Sequence, residues 1–395
     1  MQTRYGIIPS MAEPRSDYAG FEQGPIRPPS EAQSLLIRVT RNCPWNRCSF
    51  CPVYKGAAFS TRPLEHVKRD IDAVYGHIVR LHELGAAHGG FSRDLIERAH
   101  ENVAPEERLA FEAAVSWFMW GMRSVFLQDA NSLFVKPADL VEILDHLRKR
   151  FPGIERVTSY ARAQTITKRA DDELRAIANA GLNRIHIGLE SGSDKVLQMV
   201  KKGVTKAEHI EAGRRVISAG MELSEYVMPG LGGAALSEEH AVETADALNQ
   251  ISPHFIRLRT LAIPNQTPLY EEYVAGRFVK CSEVMVARES LLFLEHLDGI
   301  SSVVKSDHIL NLFADLEGKL PDDKPRMTGM LQTFLDMAPE RQTLFQVGRR
   351  IGVFTRLQGL DDLRRCAMVK AACDQYGITP ENAEAVIEDI MRTFI

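Results

Sequence analysis

From residue 35 onward, short apolar runs alternate with longer stretches whose apolar positions recur every three to four residues. LLIRVT (35–40), RSVFLQ (123–128), ERVTSYA (155–161), NRIHIGLE (183–190), MELSEYVM (221–228) and HFIRLRTLAI (254–263) read as strands. PADLVEILDHLRKRF (137–151), DDELRAIANAG (171–181) and KAEHIEAGRRVISAG (206–220) have helical periodicity. Gly181 and Gly220 stand where a helix must stop before the next strand. Strand–helix alternation predicts an α/β fold with parallel pairing and right-handed crossovers. The long interval between the first two strands contains APEERLAFEAAVSWFMWGM, an amphipathic helical insert whose WFMWGM (117–122) is expected in the core. Residues 1–34, with GPIRPPSEA, read as an extended lead-in. Strand signals fade after residue 265, and helical patterns run to Ile395.

Strand parity adds information. In NRIHIGLE, Ile185, Ile187 and Leu189 share one face, and Arg184, His186, Gly188 and Glu190 share the other. Arg38 and Thr40 fall together, as do Thr158, Tyr160 and Arg162, and Arg257 and Arg259. In MELSEYVM, Glu225 interrupts the side carrying Leu223 and Val227. One apolar face under helices and one polar face predict an incomplete, wide barrel around a polar ligand, because a closed barrel fills its centre with branched apolar side chains. The alternative is that these polar residues lie at strand ends and reach solvent.

The chain is 395 residues long and 45% hydrophobic, with a net charge of −4, so a full core is affordable and no global bias toward nucleic acid appears. No apolar run reaches transmembrane length and the N-terminus lacks a signal pattern, so the expected address is the cytoplasm. Thiols stay reduced there, and clustered cysteines favour metal or chemistry over disulfides. Three of the six cysteines, Cys43, Cys48 and Cys51, crowd into RVTRNCPWNRCSFCPVYKG just after the first strand. Chemistry in parallel α/β barrels sits at the C-terminal ends of strands. Three thiolates suit soft iron or zinc. A zinc site completed from a distance, or plain buried thiols, are the competing readings.

This loop resembles that of radical S-adenosylmethionine (SAM) enzymes, whose signature is Cys-x3-Cys-x-aromatic-Cys after the first strand. Phe50 supplies the aromatic residue; four residues, PWNR, separate Cys43 from Cys48 where the signature has three. HIGLESGSDKVLQMVKKGVT (186–205) resembles the fourth-strand region of the oxygen-independent coproporphyrinogen oxidase and methylthiotransferase branches, VMPGLGG (227–233) the fifth-strand glycine motif, and LRTLAIPNQTPLYEE (258–272) the sixth-strand segment. SDHILNLFADLEGKLPDDK (306–324) and the cysteine loop together resemble a bacterial and archaeal group without an assigned substrate.

The resemblance implies a partial (β/α)6 TIM-like radical SAM barrel over 35–275, with a helical insert at about 62–120 and a helical region at 276–395. It implies a [4Fe–4S] cluster on Cys43, Cys48 and Cys51 with one iron left open to SAM. It places Glu190 at the SAM ribose, Lys202 at its carboxylate and Asp129, in the altered motif QDAN (128–131), at its amino group, with Asn131, Ser191, Ser193 and Tyr226 as further contacts. Reductive SAM cleavage, a flavodoxin or ferredoxin donor and oxygen sensitivity follow. For substrate, Arg38, Arg162, Arg257 and Arg259 suit an anionic small molecule, and His308 and Asn311, three apart, share a face if helical and could meet substrate, with a helix-capping or core role as the competing reading.

Two rival functions stay open. One is RNA or protein modification, although no RNA-binding domain or second cysteine triplet is evident and Asp361 and Asp362 interrupt the arginines of FQVGRRIGVFTRLQGLDDLRRC. The other is a haem-carrying chaperone that resembles coproporphyrinogen oxidase without its reaction. Cys281, Cys366 and Cys373 are expected to pack as free thiols.

Overall fold

A computed structural model describes residues 17–392, so the first sixteen residues of the expected lead-in lie outside the described residues. The strands that matter are β1 Leu35–Arg38, β2 Ser124–Gln128, β3 Arg156–Tyr160, β4 Arg184–Glu190, β5 Glu222–Val227, β6 Phe255–Leu258, β7 Val303–Lys305 and β8 Gly318–Lys319. The fold is mixed α/β with mostly parallel pairing. The chain forms two compact units. One holds the residues up to Asn46 with Val53–Ile185 and Ala219–Met221; the other holds Arg47–Pro52, His186–Ser218 and the residues from Glu222 on.

In the first unit β1 pairs with β2, and β2 with β3, all parallel. The expected insert is helical: Leu64–His88, Arg93–Glu101 and Arg108–Met119. Val67, Ile71, Val74, Ile78 and Leu81 form the buried stripe of the first of these, spaced three or four apart as a one-sided helix requires. WFMWGM divides where its helix ends. Trp117 is buried and donates from Nε1 to the Ser124 carbonyl at 2.8 Å, whereas Met119 and Trp120 are exposed. The lead-in is pinned down: the Gln128 side chain accepts from Gly24 N–H at 2.8 Å and donates to the carbonyls of Gly24 and Ile26.

In the second unit β5, β6 and β7 run parallel and β8 returns antiparallel to β7. These last two strands correct the expectation that strands end by residue 265. Runs of three and two residues are too short to carry a readable alternation. The C-terminal helices share one core with the strands: Val227, Ile256, Leu258 and Val304 lie in the same apolar cluster as Leu291, Phe313, Phe334, Phe345 and Phe354. Cys281 and Cys373 are buried, and all six cysteines are free thiols. No described helix is long and apolar enough to cross a membrane.

Candidate functional site

The cysteine loop is secured within each unit. At its base Thr40–Arg41 pairs antiparallel with Ser60–Thr61. Asn42 and Asn46 adopt left-handed φ values of 66° and 48°, which asparagine tolerates better than most residues. The Asn42 amide bonds the Ala58 carbonyl, and that of Asn46 bonds the Tyr54 carbonyl. Asn46 N–H lies 3.5 Å from Cys43 Sγ. In the second unit Ser49 donates from its N–H to Val200 O at 2.9 Å and accepts from Leu269 N–H at 3.0 Å, fixing the backbone between Cys48 and Cys51. Phe50 packs against the cluster containing Val196, Val200 and Leu269, with Lys202 Nζ 5.9 Å from its ring centre.

At the end of β2, Asp129 is buried and gripped by the first unit's own groups. Arg38 reaches its Oδ2 through Nη2 at 2.6 Å and Nε at 2.9 Å, and Asn42 N–H donates at 3.1 Å. Burial pushes the Asp129 carboxyl up and Arg38 pulls it back. The Tyr54 hydroxyl also bears on this buried carboxyl, and a Cβ on Gly24 would collide with its Oδ1. Asn131 braces backbone: its Oδ1 accepts from Arg162 N–H at 3.2 Å and its Nδ2 donates to Thr165 Oγ1 at 2.7 Å. The Arg162 guanidinium lies 5.3 Å from the Trp45 ring centre. Glu22 receives Arg41 at 2.8 Å and Arg62 at 2.5 Å, with Arg38 at 3.7 Å. One lead-in carboxylate thus ties three arginines.

At the end of β4, Glu190 has φ 63°, and its Oε1 lies 3.0 Å from Lys202 Nζ. The missing side chain of Gly188 makes room for this pair, since a Cβ there would meet Glu190 Oε1. Ser193 caps Asp194–Met199, accepting from Val196 N–H at 3.3 Å and donating to Glu239 Oε1 at 2.7 Å. Ser191 Oγ accepts from Ser193 N–H at 3.0 Å. The Tyr226 ring stands edge-on to that of His186 at 5.5 Å. Glu225, the residue that interrupted the alternation, is fully buried, with at most a weak backbone bond from Leu189 at its carboxyl. Burial pushes its carboxyl well above the usual range; Lys202 opposes that shift and Glu190 reinforces it.

Beyond β6 lie the other expected substrate residues. Arg257 is buried and held by Asp307 at 2.5 Å and Ser224 Oγ at 3.2 Å, whereas Arg259 is exposed past the strand end. Burial, with help from Arg259, pushes the half-buried His308 imidazole down to about 4. His308 and Asn311 do not share a helix face, because no helix forms over 306–312. Asn311 Oδ1 accepts from Thr260 N–H at 2.9 Å, and Nδ2 donates to Leu258 O at 2.8 Å and Ser306 Oγ at 2.9 Å. Its bonding capacity is spent holding the exit of β6.

The model of the radical SAM superfamily matches residues 37–247, more than half of the chain. The chain belongs to the radical SAM superfamily. Among curated proteins it is similar to the tRNA uridine(34) acetyltransferases of Methanocaldococcus infernus (21% identical over 264 residues, 64% of this chain and 47% of that protein) and Methanocaldococcus jannaschii (20% over 273 residues, 64% and 47%). It spans about half the length of these curated relatives. Among solved structures it is similar to coproporphyrinogen III oxidase (HemN) from Escherichia coli, with a TM-score of 0.42, 15% identity, and coverage of 67% of this chain and 52% of that one.

Radical SAM enzymes use a [4Fe–4S] cluster and SAM. The donor chemistry of this chain fits the cluster: three free thiols in one braced loop, one of them close to a backbone N–H that tempers its charge. It fits SAM in having a carboxylate and an ammonium side by side at the end of β4, both largely shielded from water. His240, Thr244 and Glu289, buried polar residues beside Ser191 and Gly230, were not singled out from sequence, because their spacing matches no ligand motif. Glu225 did leave a signal in the broken alternation.

Proposed function

We propose that this radical SAM enzyme abstracts hydrogen from an anionic small molecule. The observation that carries the reading is the charged group at the exit of β6. Arg257 is fixed by Asp307, Arg259 extends past it toward solvent, and His308 is neutral at physiological pH. A planar guanidinium suits a carboxylate or phosphate. A neutral imidazole adds a donor and an acceptor without cancelling the anion's charge.

When bound, the cluster and SAM would supply one-electron reductive chemistry for hydrogen abstraction. The chain's own residues orient and shield. Cys43, Cys48 and Cys51 hold the cluster. Glu190 would take the ribose hydroxyls and Lys202 the carboxylate of SAM. Asp129, ion-paired with Arg38, would offer its Oδ1 to the amino group. The electron donor is a flavodoxin or ferredoxin.

Gly188→Ala checks the cofactor part. Its methyl group displaces Glu190 Oε1, and the expected result is SAM affinity about tenfold weaker by calorimetry at unchanged iron content. Equal affinity would detach Glu190 from SAM.

A second reading, tRNA modification, is favoured by the likeness to the tRNA uridine(34) acetyltransferases. One assay separates the two. Anaerobically reconstituted protein is given dithionite and SAM, alone, with a low-molecular-weight anionic metabolite fraction, or with bulk tRNA, and 5′-deoxyadenosine is measured by mass spectrometry. Acceleration by the small-molecule fraction, lost in Arg259→Ala while SAM binding persists, is expected. Acceleration by tRNA alone would replace the first reading with the second.

A further inference from the structure

We propose that His240 is a positioning residue for SAM: it clamps the loop after β4 to the loop after β5 and so sets where the Glu190 carboxylate and the glycine motif meet the cofactor. This rests on the reading of Glu190 and Lys202 as SAM contacts.

His240 lies in the helix Gly233–Ile251 and is buried. Its Nε2 lies 3.1 Å from the Met228 carbonyl and its Nδ1 2.8 Å from Ser191 Oγ. Only one neutral tautomer serves both contacts: Nε2–H donates to Met228 and Nδ1 accepts the Ser191 hydroxyl proton, an assignment made from the network. Ser191 directly follows Glu190, and Met228 opens the turn Met228–Gly233. Met228 N–H in turn donates to Glu190 O at 3.0 Å, so the two loops are joined by both backbone and imidazole.

Neighbours on two helices complete the clamp. Thr244, one turn along from His240, accepts Gly192 N–H at 2.8 Å. A Cβ on Gly192 would strike the helix backbone at Glu243, which shows how closely that loop is pressed down. From the helix Glu283–His296, Glu289 accepts Gly230 N–H at 2.7 Å and the Ser237 hydroxyl at 2.5 Å, and stands 3.6 Å from His240 Nε2. Every partner of His240 is thus either part of a loop that borders the proposed SAM contacts or fixed to one. Buried, fully satisfied networks of this kind hold a single geometry, and removing one member leaves others unpaired. Outer partners of a binding site commonly carry 10- to 100-fold of its affinity or activity, about 1.4–2.7 kcal/mol.

The test uses the full chain, reconstituted anaerobically. The cluster is loaded, quantified by iron and visible absorbance, and reduced. SAM is then titrated while the electron paramagnetic resonance spectrum of the cluster is followed. His240→Ala is expected to keep the iron content and to weaken SAM about tenfold or more. His240→Gln, which can restore a donor to the Met228 carbonyl, is expected to recover most of that loss. If His240→Ala fails to fold, Thr244→Val removes one loop bond and is expected to weaken SAM severalfold. A lowered melting temperature with unchanged SAM affinity would reduce the network to ordinary core and overturn the proposal. Lys202→Ala, run in parallel, judges the underlying reading separately. Unchanged affinity there would count against the SAM site, while the clamp stands or falls on His240 and Thr244.

Discussion

Replacing Cys43, Cys48 and Cys51 together by Ala is expected to yield a folded, colourless protein that forms no 5′-deoxyadenosine from SAM and dithionite above background. The loss should be complete if, as proposed, these three thiolates are the protein's whole share of the cluster. The fold should survive, because the loop is braced by other groups: the Thr40–Thr61 pairing, the amides of Asn42 and Asn46, and the backbone bonds of Ser49. Circular dichroism and melting should therefore match the unsubstituted apoprotein. Ala at Cys281, Cys366 and Cys373 is expected to leave iron content unchanged, since Cys366 and Cys373 pack in the C-terminal apolar core and Cys281 is buried near Ser237 and Glu289. Retained iron and deoxyadenosine in the first triple variant, or lost iron in the second, would assign the cluster to the wrong cysteines.

Glu225→Leu is expected to raise the melting temperature by several degrees. A buried carboxyl with at most a weak backbone bond from Leu189 costs about 1–3 kcal/mol, and an apolar side chain of similar size removes that cost. The pH dependence follows from the upward shift of the carboxyl. The folded protein holds this proton at pH values where the unfolded chain, with an ordinary glutamate near about 4.3, has released it. The stability linked to that proton is fully present below the unfolded value and is lost as pH rises toward the folded value. Relative to Glu225→Gln, the unsubstituted protein should therefore weaken progressively as pH climbs from about 4 toward neutrality. Melting curves of the three proteins at acid and neutral pH give the answer. A Leu variant that melts lower than the original at every pH would show that the carboxyl is stabilising where it sits. Should Glu225→Leu gain stability and lose SAM affinity, the residue is retained for its effect on the adjoining Glu190–Lys202 pair, the usual exchange of stability for function at a site.

The arginines expected to meet substrate show where reading along the chain reaches its limit. Arg38 and Arg257 stand on the polar parity of their strands, but each is engaged by a carboxylate far away in sequence. Asp129 is 91 residues from Arg38 and Asp307 is 50 residues from Arg257. No local pattern announces such a partner. Arg259, one alternation further on, escapes pairing of that kind because β6 ends at Leu258 and leaves it beyond the strand. His308 and Asn311 stand three apart, a helical spacing, yet a turn intervenes, and Asn311 spends its amide on the β6 exit.

What the sequence by itself determined is the set of features written in neighbouring residues. These are the cysteine loop and its aromatic residue, the alternation of β1 to β6, and the helices of the insert. Each depends on spacing of one to four residues, where backbone geometry decides which side chains meet. Tertiary structure alone decided which charges are spent and which are held in reserve. It set Glu22 among three arginines, buried Glu225 beside the Glu190–Lys202 pair, and gathered Ser191, Met228, Thr244 and Glu289 around His240. Those outcomes depend on desolvation and on partners brought together by the folding of distant segments. Neither quantity exists until the chain has folded.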